Sequence, residues 1–77
     1  MTPAEVIRAK LSQYLGPFTA KNAVALVAKQ ATGADAEQVT RAQAPVLIDA
    51  LGPTLRTLLG KVAAEKVAND IRKELAL

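Results

Sequence analysis

The sequence has no cysteine, no histidine and no tryptophan, and it holds one tyrosine and one phenylalanine. Without cysteine no disulfide can brace the fold. Without cysteine and histidine a metal site falls to carboxylates alone. The seven acids Glu5, Asp35, Glu37, Asp49, Glu65, Asp70 and Glu74 stand at no metal-ligand or hydrolase spacing. Ser12 is the only serine, with no base at motif distance, and reads as an exposed helix residue. The four glycines are isolated, so no phosphate-cradling loop is present. An acyl carrier would need a serine opening its second helix and a strongly acidic surface, and both are missing. No enzyme activity and no cofactor are expected.

Other shortages narrow the partners. Two aromatics, Tyr14 and Phe18, give no stacking platform for single-stranded nucleic acid. The longest apolar run, Ala23 to Ala28, cannot cross a bilayer. The N-terminus carries Glu5 in place of an apolar signal segment. With no cysteine as well, a cytoplasmic location away from membranes is expected. The net charge of +3 is mild, and the basic residues form no run longer than Arg72-Lys73. Met1-Thr-Pro-Ala-Glu5 reads as a natural start, while Leu75-Ala-Leu77 fits either an end or a cut within a helix.

What is present is a helical pattern over residues 1–77, read as a single domain. Two segments share the form L-x-x-x-L-G-P: Leu11 to Pro17 and Leu47 to Pro53. In each, two leucines share a helix face, glycine stops the helix and proline starts the next. The expected fold is all-α: a compact bundle of four helices built from two helix-Gly-Pro-helix corners. Thr2-Pro-Ala-Glu5 is a capping box opening helix 1, over 3–15, with Ala4, Ile7, Leu11, Tyr14 and Leu15 on one face. Helix 2 runs from Pro17 to about Thr32 and stops at Gly33. Asp35-Ala-Glu-Gln38 reads as a second capping box, opening a helix over 36–51. Pro45 interrupts that helix and predicts a short helix over 36–43 followed by a second over 45–51 with Pro45 at its start, which would make five helices. Helix 4 starts at Pro53. Aligning Leu11 with Leu47 lays helix 2 on helix 4, as a duplicated hairpin would, although outside the corners only small apolar residues match.

The apolar residues exceed what one core needs. In helix 2, Leu26 falls between Asn22 and Gln30, and Ala25 falls beside Lys29, so the helix is apolar almost all round. In helix 4 the stripe Leu55, Leu58, Leu59, Val62 is followed by a second, Ala64, Val67, Ala68, Ile71, Leu75. The two lie on nearly opposite sides of a continuous helix. Either the chain bends at Gly60, or the second stripe faces a partner. A small core of alanine, valine and leucine benefits from association. The expected function is therefore a non-catalytic protein-protein interaction or dimerisation module. Its candidate surface is Leu26, Ala25, Val67, Ile71 and Leu75. Tyr14 and Phe18 predict a hydrophobic plug at the first corner, or an aromatic anchor for a partner. The alternative function is a small DNA-binding regulator with a helix-turn-helix over 23–43, reading bases with Gln38, Arg41 and Gln43, although Asp35 and Glu37 would repel phosphate.

Tyr14-Leu15-Gly16-Pro17 followed by Leu26-Val27-x-x-x-Ala31 resembles a small helical domain of unknown function. That domain recurs at the ends of bacterial signalling proteins, including serine/threonine kinases and cyclic-nucleotide-related regulators. The resemblance covers roughly residues 8–58, with the Tyr-Leu-Gly-Pro corner its distinctive part. It implies a non-catalytic accessory module of a bacterial signalling system and assigns no functional residues.

Overall fold

The computed structural model describes residues 2–77. They form four α-helices: α1 (Pro3–Leu15), α2 (Pro17–Thr32), α3 (Ala44–Leu59) and α4 (Lys61–Glu74), with a short 3-10 turn at Ala36–Gln38 between α2 and α3. The fold is an all-α bundle. Each helix packs on the next, α4 closes against α1, and α2 and α4 lie on a diagonal without close approach.

The first corner forms as its sequence predicts. Thr2 caps α1 by accepting from the Glu5 N–H at 3.2 Å. The Gly16 N–H ends that helix on the Ser12 carbonyl, 3.0 Å. Gly16 adopts φ 83° and ψ 156°, a conformation a Cβ would strain. Pro17 then starts α2, which ends at Gly33.

The second corner lies at Gly60, eight residues beyond the Gly-Pro pair expected to form it. Gly52 and Pro53 are inside α3, which runs unbroken to Leu59. Helical periodicity explains the difference. Ala44, Leu47, Ile48, Leu51 and Leu55 are buried and keep one face across Gly52-Pro53. In the first hairpin the buried residues Ala4, Ile7 and Leu11 resume at Ala20, nine positions on and on the far side of any continuous helix. An interior proline costs about 3 kcal/mol. Burying each large aliphatic side chain contributes ~1.5–3 kcal/mol, so keeping Leu55 in line with Leu47, Ile48 and Leu51 offsets most of it. Pro53 itself is exposed. Gly60 repeats the geometry of Gly16, with φ 83° and ψ 164°, and its N–H meets the Arg56 carbonyl at 2.9 Å. The chain therefore bends at Gly60, and the duplication implied by Leu11 on Leu47 does not match the positions of the corners.

The segment 36–43 is not a helix. Its Asp35 side chain makes no capping bond. The cap forms instead at Thr40-Arg-Ala-Gln43: Thr40 N–H donates to Gln43 Oε1 at 3.1 Å and Gln43 N–H to Thr40 Oγ1 at 3.3 Å. Pro45 then sits in the first turn of α3, where its missing N–H is harmless. Proline here opens the helix, as expected, but no α-helix over 36–43 precedes it.

One ion pair fastens this connection to α1. Arg8 binds the Glu37 carboxylate and holds its pKa below the ordinary value of 4.5. A carboxylate with a lowered folded pKa adds stability above its unfolded pKa and loses it as pH falls through the folded one. Thermal melts between pH 6 and 3 are expected to show a steeper fall in Tm for the native chain than for Glu37→Gln. Identical slopes would show that the pair adds nothing.

Candidate functional site

The expected surface divides in two. On α4, Val67 and Ile71 are fully buried and Leu75 is nearly so. With Ala64 they form the face that α4 turns into the core. The bend at Gly60 is the reason. It frees α4 to rotate its stripe inward, independently of Leu55 on α3. These three residues are core and not a contact surface, and Leu75 docks the C-terminal turn.

On α2 the outcome is the reverse. Ala20, Val24, Val27 and Ala28 are buried, while Leu26 is 60% exposed and Ala25 is also exposed. Phe18, on the same helix, is 78% exposed and Tyr14 is 37% exposed. The aromatic pair therefore does not plug the corner. Phe18, Asn22, Ala25, Leu26 and Lys29 share one outward stripe of α2, the first four spaced 4, 3 and 1 apart. The second corner carries a comparable pair, Leu58 and Val62, two residues either side of Gly60 and both exposed. Periodicity alone placed Leu26 outside; the exposure of Leu58 and Val62 follows only once the corner is located at Gly60.

Of the three residues expected to read DNA, Arg41 and Gln43 make contacts within the fold. Gln38 is exposed on the 3-10 turn, and Gln43 is folded into the cap before α3. Arg41 donates to the Leu75 carbonyl, and at 3.4 Å to that of Ala76, closing the open end of α4. Residues 36–43 hold a 3-10 turn at Ala36–Gln38 and no α-helix before α3 starts at Ala44.

Between α3 and α4 runs a groove of about 290 Å³, bordered by Gly52, Arg56, Ala64, Ala68, Asn69 and Arg72 among others. Arg72 crosses it to Asp49 at 2.8 Å. Asp49 is exposed, as its placement among apolar neighbours predicts. The Ser12 hydroxyl donates to the Arg8 carbonyl at 2.7 Å on its own helix. Among the described residues no three acids gather at one point, and no helix is long and apolar enough to cross a membrane.

Compared with protein-family models, curated proteins and solved structures, the chain matches none.

Proposed function

We propose that this chain is a non-catalytic helical interaction module of a bacterial signalling or regulatory system, and that it associates as a dimer through the outer face of α2. The observation that carries this is the exposure of Phe18, Ala25 and Leu26 on a helix whose opposite face is already buried in the core. Exposed large apolar residues gathered on one face are characteristic of contact surfaces. A thin core without disulfides favours association as well. The resemblance at Tyr14-Leu15-Gly16-Pro17 supports the signalling context.

Leu26→Glu is the test. Its side chain faces solvent, so the variant is expected to keep the helical circular dichroism and a melting point within a few degrees of the native chain. Its mass by sedimentation equilibrium is expected to fall to that of a monomer. A variant that associates as the native chain does would remove α2 from the interface.

A further inference from the structure

Two arginines from different helices converge on one stretch of the α3–α4 groove. Arg56 lies against Gly52, with its Nη1 3.6 Å from the position a Cβ would take there. Arg72 reaches over from α4, and its Nη2 donates to Asp49 Oδ1 at 2.8 Å. Gly52 and Asp49 are about 4.5 Å apart along the axis of α3, so both guanidinium groups are held over the same turn. The two helices run antiparallel, since Asp49 and Arg72 stand far from Gly60 on either side and still meet. Side chains on a helix lean toward its N-terminus. Arg56 therefore leans away from the corner at Gly60, and Glu65, on the facing helix, leans toward it. Among the described residues neither Arg56 nor Glu65 makes an ion pair.

Positive charge is left over at this turn. Asp49 is paired with Arg72 and not with Arg56, so two cations share one carboxylate. Arg72 Nη1 also donates to Asn69 Oδ1 at 3.4 Å, which orients its fork without neutralising it. The lining between the arginines is small: no side chain at Gly52, and single methyl groups at Ala64 and Ala68. We infer that this groove binds a small phosphate monoester, the phosphate held between Arg56 and Arg72 and its carrier lying over Ala64 and Ala68. Guanidinium forks match phosphate oxygens in paired hydrogen bonds. A phosphate monoester carries close to two negative charges at neutral pH, and so balances both arginines where a carboxylate balances one. The volume of about 290 Å³ falls at the low end of small-molecule sites. Asp49 is the competitor of the phosphate: an exposed ion pair is weak, so a phosphate replaces it on Arg72 at little cost. The groove lies on α3 and α4, and its reading does not rest on the dimer through α2.

Phenyl phosphate at low salt is the probe, followed by the amide shifts of Gly52, Ala64 and Ala68 in proton–nitrogen correlation spectra. The shifts are expected to saturate. Arg56→Gln and Arg72→Gln should each weaken binding by about tenfold or more, the loss of one charged hydrogen-bond partner. Asp49→Asn should tighten it by up to about fivefold, because the competing carboxylate is gone. Lys21→Gln, an equal change of charge at an exposed position of α2, should leave it within about twofold, as screening predicts for a distant charge. Benzoate should bind more weakly than phenyl phosphate. Shifts that never saturate, or a loss in Lys21→Gln as large as that in Arg56→Gln, would show diffuse attraction to a basic surface and overturn the inference. Weaker binding by Asp49→Asn would overturn it as well, and benzoate binding as tightly as phenyl phosphate would overturn the choice of phosphate.

Discussion

Ile71→Glu is expected to unfold the domain. Ile71 is fully buried in the core cluster. The change removes aliphatic burial worth about 2–5 kcal/mol when truncated. It also places a carboxyl in a core where, among the described residues, no polar or charged side chain is buried. Burying a polar group without a partner adds roughly 1–3 kcal/mol on mutational scales, and an ionised one more. A domain of this size is expected to have about 4–11 kcal/mol in all. Circular dichroism of the variant should show loss of the helical signal, or a melt near room temperature. A cooperative melt close to the native one would mean that α4 does not bury this face. The contrast with Leu26→Glu is the point: similar chemistry on two helices, and opposite outcomes set by burial.

Gly60→Ala and Gly52→Ala are expected to move stability in opposite directions. At φ 83° and ψ 164°, Gly60 occupies backbone space that a Cβ strains by ~1–3 kcal/mol. At about 4–8 °C per kcal/mol for a domain of this length, Tm should fall by roughly 5–20 °C. Gly52 is helical, and the nearest atom to a Cβ there is Arg56 Nη1 at 3.6 Å, an ordinary contact. Replacing an interior helical glycine by alanine stabilises by about 0.5–1 kcal/mol. Pro53→Ala should stabilise as well, because it restores an N–H that can bond the Asp49 carbonyl. Differential scanning calorimetry of the three variants decides. Destabilisation by Gly52→Ala and Pro53→Ala, with Gly60→Ala neutral, would put the corner back at Gly52-Pro53.

These variants probe the place where local signals and periodicity disagreed. Leu11 to Pro17 and Leu47 to Pro53 carry the same local punctuation, and local punctuation alone cannot separate them. What separates them is the apolar pattern on either side. It continues in phase from Leu51 to Leu55 and breaks from Leu11 to Ala20. That signal was present in the residues, as was the Thr40-x-x-Gln43 box that opens α3. α1 and α2 were legible from their caps and stripes because both signals agreed there. On the surface, Leu26 and Ala25 were legible because helix 2 had more apolar residues than one face could bury. The burial of Val67, Ile71 and Leu75 was not, because it depends on how far α4 turns at Gly60. The role of Arg41 was also hidden, since its acceptors Leu75 and Ala76 lie far along the chain and meet it only in the folded bundle.

The central claim is that the outer face of α2 is a contact surface between copies of this chain. Light scattering on a sizing column, over a hundredfold range of concentration, measures it directly. The expected result is a mass rising toward twice 8.1 kDa with concentration. A mass of 8.1 kDa at every concentration would contradict the claim.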